Sequence, residues 1–239
     1  MKNLLVHLNS SKCFNKEHQL LAKIQIDNSL RLGWKTEDII LVTNFDYEYN
    51  GVRAVMIPDK YFCDFRPYST KTVAVTYLLE YWMLPPDEVY WAHDFDAYQL
   101  EKFDFTLEKP MAFSDYGYSP KPSLGSYFFD FRARDFFSLL RDTIYEKRTE
   151  DERALVWLTK NKAMKIIDSF QKINITYNFG MRHVEKNWEI ADKPLKVIHF
   201  HPWGKDLPTL DIFMYGKNKL GFPLMSKQLI KLFHKHGIR

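Results

Sequence analysis

Short apolar runs alternate with amphipathic stretches through the first 92 residues, and this alternation limits the folds open to the chain more than any other feature. Asn3–Leu8 and Asp38–Thr43 (DIILVT) are runs of buried-strand length rich in branched side chains. Between them, Glu17–Leu32 places Leu20, Leu21 and Ile24 on one helical face and ends at Gly33. Val52–Ile57 reads as a third strand after the turn Tyr49-Asn50-Gly51. Thr70–Met83 repeats the helical spacing with Val75, Leu78, Leu79 and Trp82, and Pro85-Pro86 stops it. Glu88–Ala92 is a fourth strand. This order predicts an α/β fold: a mixed, mainly parallel sheet flanked by helices on both faces. Ligands in such sheets bind at the carboxyl ends of the strands.

The second half is less periodic. Met111–Ser114, Ser126–Phe131 and Lys196–Phe200 read as strands, and Arg134–Tyr145 and Asp151–Asn161 as helices. A basic amphipathic helix at about 224–236 closes the chain, with Lys227, Lys231 and Lys235 beside Leu229, Ile230, Leu232 and Phe233. Absence of repeats and Gly/Ser linkers makes 1–239 a single domain in this reading. The longest N-terminal apolar stretch is too short for a signal peptide, and no run approaches the ~20 residues of a membrane span. Cys13 and Cys63 form no spaced motif, which points to a reducing, cytoplasmic setting. A formal net charge of +4 is a mild excess that suits a polyanionic small ligand, an anionic surface or DNA without choosing between them.

Two motifs carry chemistry. Asp94-Phe95-Asp96 follows the fourth strand directly, so two carboxylates two residues apart reach the ligand end of the sheet. Hard oxygen ligands in that arrangement suit a divalent cation; a solvated turn is the competing reading. His199-Phe200-His201 ends the late strand and runs into Pro202-Trp203-Gly204-Lys205. Strand alternation lets both histidines face one site, Gly204 permits close backbone approach, and Lys205 offers a charge to phosphate. Two half-buried, backbone-satisfied histidines are the alternative. Arg66 to Lys71 lead into a helix N-terminus, an anion-favouring position as well as an ordinary cap. Glu150-Asp151-Glu152 opens another helix, where acidic residues also serve simple capping.

From Asn3 to about Lys205, the α/β order, the Asp-x-Asp after the fourth strand and the late His-rich strand end resemble a GT-A glycosyltransferase. HFHPWGK is similar to the His-x-x-Gly-x-x-Lys-Pro-Trp end of the glycogenin-like branch, with different spacing. The resemblance implies a metal-dependent transfer of sugar from a nucleotide-diphosphate sugar, UDP-linked or other, to an acceptor hydroxyl. It implies Mn2+ or Mg2+ held by Asp94, Asp96 and His199 or His201. It implies donor contacts from Asp94, Lys71, Arg66, Asp115, Gly204 and Lys205, and Asp151 as base with Glu152 second. Ser123-Leu124-Gly125-Ser126 matches the small-residue turn that lets the donor sugar approach. The acceptor stays open among a glycan, a protein, a lipid-linked sugar and a modified DNA base; the location implied is cytoplasmic, or host cytoplasm for a viral source. A sugar-1-phosphate nucleotidyltransferase competes, although the loop Asn9-Ser10-Ser11-Lys12 lacks the glycines it would need. A two-metal phosphoesterase and a non-catalytic carbohydrate- or nucleic-acid-binding protein complete the field.

Overall fold

The computed structural model describes residues 1–117, 121–160, 169–180, 183–199 and 225–237. Its strands are β1 (Lys2–His7), β2 (Ile39–Thr43), β3 (Glu48–Tyr49), β4 (Val52–Arg53), β5 (Val55–Met56), β6 (Tyr90–His93), β7 (Ala97–Gln99), β8 (Met111–Asp115), β9 (Pro122–Phe129), β10 (Phe170–Lys172), β11 (Phe179–Gly180) and β12 (Val197–His199). The helices are α1 (Lys16–Arg31), α2 (Thr70–Glu80), α3 (Arg134–Lys147), α4 (Asp151–Lys160), α5 (Val184–Ile190) and a C-terminal helix, Lys227–Lys235.

Seven strands form the central sheet in the order β10-β8-β9-β6-β1-β2-β5. Parallel pairs join β1 to β2 and β6, β2 to β5, and β8 to β10, while β9 runs antiparallel between β6 and β8. Side-chain alternation along each strand feeds two cores. Leu5, Trp91 and Phe128 point to the face covered by α1 and the C-terminal helix. Leu4, Val6, Tyr90, Ala92, Tyr127 and Phe129 point to the face covered by α2, α3 and α4. A small second sheet, β11-β12-β7, pairs Ala97–Gln99 antiparallel with Val197–His199.

Several expectations shift. The third strand is two short ones: β4 turns back on β3, β5 pairs parallel with β2, and Ala54 parts them by donating its N–H to Tyr47 instead. α2 stops at Glu80, before Met83, because Trp82 adopts a left-handed backbone with φ 55°. Ser123–Ser126 is not a turn before a strand. It lies inside β9, where Phe113 pairs Tyr127 and Asp115 pairs Pro122, so on the β8 side these four residues face Ser114 alone, while on the other side Ser126 pairs with His93 of β6. Such a bulge frees backbone groups for other partners.

Asn15 caps α1 by accepting from His18 N at 2.7 Å. Ser226 caps the C-terminal helix, whose Leu229, Leu232 and Phe233 are buried. Lys235 and His236 reach Asp27 of α1 at 2.7 and 3.1 Å, where Asn50 and Tyr49 also donate. The basic helix thus packs on its own protein by its apolar face. Among the described residues no helix is long and apolar enough to cross a membrane.

Candidate active site

β6 carries the chain to the carboxyl edge of the sheet, and Asp94 and Asp96 follow at once. Their loop is tied at every turn. Asp94 N donates to Gly125 O at 2.8 Å, and Ala97 N donates to Asp94 O at 3.0 Å. Gln25 Nε2 donates to the carbonyls of Phe95 and Ala97 at 2.9 and 2.7 Å. His93 is stacked on Trp91 and sits between Asp94 O and the Asn3 amide. Burial lowers its pKa to about 3, so it serves as a neutral brace.

The three-residue ladder β7/β12 brings His199 opposite Ala97 and therefore beside Asp96. His199 Nε2 lies 3.3 Å from Asp96 Oδ1 and 3.6 Å from Asp94 Oδ2. Its Nδ1 lies 3.0 Å from Asn178 Oδ1, and the Asn178 amide nitrogen donates to Ser123 Oγ at 3.0 Å. This fixes Nδ1 as the protonated nitrogen and turns the Nε2 lone pair toward the carboxylates, the outer-shell arrangement of a metal-ligating histidine. Burial works against a charged ring here, but Asp96 and Asp94 outweigh it and raise the His199 pKa. The pocket therefore favours a cation. One atom from each of Asp94, Asp96 and His199 lies within 4.8 Å of the others. Two carboxylate oxygens and one imidazole nitrogen fit a divalent ion and leave positions on it for a ligand's oxygens.

Gly125 is what admits the imidazole. A Cβ built on it would overlap the His199 ring, so no larger residue fits without displacing it.

The same edge opens into a cleft of about 740 Å3. One end is walled by Val6, His7, Leu8, Glu17, His18 and Leu21. There His7 stacks on Phe14 with centroids 4.6 Å apart, and His18 lies 4.7 Å from His7. Burial, helped by His18, drops the His7 pKa to about 3, leaving a neutral aromatic surface. Tyr68, Tyr116, Glu150, Asp151 and Glu152 line the cleft as well. Lys71 and the Asp94, Asp96, His199 group lie along the same wall as Gly125.

Lys71 Nζ donates to Asp94 Oδ1 at 2.5 Å and to Leu124 O at 2.6 Å, over the face of Tyr127. Asp151 opens α4 against the start of α2. Its N–H donates to Ser69 Oγ at 2.9 Å, and its carboxylate accepts from Thr72 Oγ1 at 2.8 Å and Glu152 N at 2.9 Å. Burial pushes the Asp151 carboxyl up to about 6, against the hydrogen bond from Thr72 and the charge of Lys71. A carboxyl held there is tuned to exchange a proton near neutral pH.

The structure thus brings Lys71, Asp94, Asp96, Asp151, Glu152 and His199 to one cleft. Arg66 does not line it; Arg66 Nη1 donates to the neighbouring Phe65 carbonyl at 3.3 Å. Asp115 stands outside as well, accepting from Gly117 N at 2.8 Å, with Lys172 3.8 Å away. His201, Gly204 and Lys205 lie outside the described residues. Tyr116, Asn178 and the His7/His18 wall carry no motif that would have selected them from the sequence.

No family model matches the sequence, and no curated protein matches it. Solved structures do. Two structures of the galactosyltransferase LgtC, one an active-site mutant and one bound to donor and acceptor sugar analogues, have TM-scores of 0.63 and 0.59; at 13% identity they cover 98% of this chain and 96% of their own. Mouse xyloside xylosyltransferase 1 has a TM-score of 0.52 at 9% identity over 87% of this chain and 98% of its own. A glycosyltransferase involved in glycosylation of the major capsid of PBCV-1 has a TM-score of 0.51 at 12% identity over 84% and 93%. This chain has the GT-A glycosyltransferase fold.

Proposed function

We propose that the protein is a metal-dependent glycosyltransferase that moves a sugar from a nucleotide-diphosphate sugar to an acceptor hydroxyl. The observation that carries this reading is one cleft lined by Asp94, Asp96 and His199 together with Lys71, Asp151 and Glu152. A fold alone does not assign chemistry, and these side chains do.

A nucleobase would sit against the rings of His7 and His18, which stand 4.7 Å apart at 38°, with the diphosphate beside Lys71. The transferred sugar then meets Asp151 and Glu152. Asp94, Asp96 and His199 would hold a divalent ion, which would supply Lewis-acid neutralisation of charge on the diphosphate. The mixed oxygen and imidazole donor set favours Mn2+ over Mg2+. Lys71 adds a point charge at the diphosphate. As the bond from the anomeric carbon to the diphosphate oxygen breaks and one to the acceptor oxygen forms, the acceptor's proton needs a base. Asp151 is our candidate for that role, supported by its place in the cleft and a carboxyl pushed up to about 6, with Glu152 as its neighbour on α4.

Glu150, Asp151 and Glu152 all line the cleft, and among the described residues Lys71 is its one lysine or arginine. This favours an uncharged acceptor such as a glycan hydroxyl over a polyanion such as DNA. A sugar-1-phosphate nucleotidyltransferase would need a flexible phosphate loop after β1, where Asn9 instead bonds Cys13 and Ser11.

The test is calorimetry of UDP and GDP with and without manganese, followed by nucleotide release from a panel of nucleotide sugars. Manganese-dependent binding and release are expected. Nucleotide affinity indifferent to the ion overturns the reading.

A further inference from the structure

Leu124 lies in the bulged stretch of β9 that faces only Ser114 on its β8 side, and its backbone is divided between two site residues. Its N–H donates to Glu152 Oε1 at 2.9 Å, and its carbonyl accepts from Lys71 at 2.6 Å. The other oxygen of Glu152 accepts the Tyr116 hydroxyl at 2.5 Å. Tyr116 is the residue after β8, and it lines the same cleft as Glu152.

A glutamate on the first turn of a helix beside a cleft has three side-chain torsions free to vary. Freezing a side chain of this length costs on the order of 1–2 kcal/mol, so without fixed partners it samples several rotamers. Here each oxygen has its own donor, one from β9 and one from the residue that follows β8. Rotation of the carboxylate loses at least one of them. The Leu124 N–H is backbone and belongs to the sheet. The Tyr116 hydroxyl is the side-chain half of the clamp, at a distance typical of a charge-assisted O–H···O bond.

We infer that Tyr116 is a positioning residue for glycosyl transfer: its hydroxyl holds Glu152 in the rotamer that keeps its carboxylate beside Asp151 and facing the transferred sugar. The inference rests on the glycosyl-transfer reading of the cleft. Tyr116 acts through Glu152. Its loss therefore disturbs turnover of bound donor and leaves in place the binding of nucleotide against His7 and the Asp94, Asp96 and His199 group, because its hydroxyl bonds Glu152 and none of these described residues. A tyrosine that merely braced the loop after β8 would instead alter stability and affinity together.

Tyr116→Phe removes the hydroxyl and keeps the ring. The experiment is a double-mutant cycle on Tyr116→Phe, Glu152→Gln and the pair, read as nucleotide release from a nucleotide sugar that the wild type consumes. Manganese-dependent affinity for the nucleoside diphosphate is measured alongside by calorimetry. Tyr116→Phe should lower kcat about 10- to 100-fold, the scale of a misplaced reacting group, with KM and nucleotide affinity within about threefold. In the Glu152→Gln background it should cost less than about twofold more. Unchanged kcat, a parallel loss of affinity, or additive effects in the pair overturn the role of Tyr116 while leaving the function of the cleft standing. A wild type that binds no nucleotide with manganese, or binds it and releases none from any nucleotide sugar, overturns the parent reading and this one with it.

Discussion

Replacing Asp151 with Asn should make the protein more stable and less active at the same time. In the folded chain the carboxyl ionises near 6, against an ordinary 3.8, because burial penalises its charge. The folded state therefore holds a proton that the unfolded state has already released. The resulting stability is fully present below pH 3.8, declines as pH rises, and is gone above 6. At about 1.4 kcal/mol per pH unit, ionised Asp151 costs roughly 3 kcal/mol at pH 8. Asn keeps the shape, and its carbonyl can still accept from Glu152 N. The exchange with Thr72 loses about 1 kcal/mol, a typical hydrogen-bond contribution. The net gain at pH 8 is about 2 kcal/mol, or a rise in Tm of about 4–8 °C for a chain of this length. At pH 4 the gain should vanish. Thermal unfolding of wild type and Asp151→Asn at the two pH values, without added metal, reads this directly. Turnover of a nucleotide sugar should fall by about 10²–10⁴-fold, the usual contribution of a general base. An Asp151→Asn protein that melts at or below wild type at pH 8, or shows the same difference at pH 4, refutes the argument that ionising this carboxyl is costly.

Other outcomes follow from the same geometry. Asp96→Asn and His199→Ala should each abolish manganese-dependent binding of a nucleoside diphosphate in calorimetry while the far-ultraviolet circular dichroism stays unchanged. Asn178→Ala should weaken manganese affinity by about 10- to 100-fold, the scale of a lost outer-shell bond, although Asn178 touches no ion itself. Gly125→Ala should displace the His199 ring and lose manganese binding as fully as His199→Ala, a comparison that titration calorimetry settles. At Asp27, burial opposes ionisation, but Lys235, His236 and Asn50 outweigh it and hold the carboxyl below its usual range. That stability is present above pH 3.8 and lost as pH falls through the lowered value, so Asp27→Asn should speed amide exchange in the C-terminal helix at neutral pH and make little difference in strong acid.

The sequence displayed the strongest parts of this site because they follow from local rules. An apolar run ending in His93-Asp94-Phe95-Asp96 places two carboxylates at a strand end whatever the rest of the chain does. Asp151 and Glu152 were visible for a similar reason, as acids at the start of a periodic helix. What escaped depends on contacts between distant segments. Nothing near Asn178 announces that it will face His199, and nothing near Tyr116 points to Glu152. The small residues of Ser123–Ser126 read locally as a turn. The antiparallel insertion of β9 between β6 and β8, which makes it a strand, is a property of the whole sheet. Arg66 was selected by its nearness in sequence to a helix start, yet its side chain turns back to its own neighbour.

The ladder joining β7 to β12 is only three residue pairs long, with His199 opposite Ala97. Its alignment decides which side chain reaches the two carboxylates. A shift of one residue would turn the neighbouring side chain to the opposite face. A shift of two would restore the correct face and bring up the residue two positions along, which in this sequence is another histidine, His201. The spacing of the two histidines therefore tolerates a two-residue slip in that one direction, whereas the reverse slip would bring up Val197. The buried pair Val197 and Ile198, with Lys196 bonded to Glu101 and its carbonyl to Leu100, holds the alignment at His199.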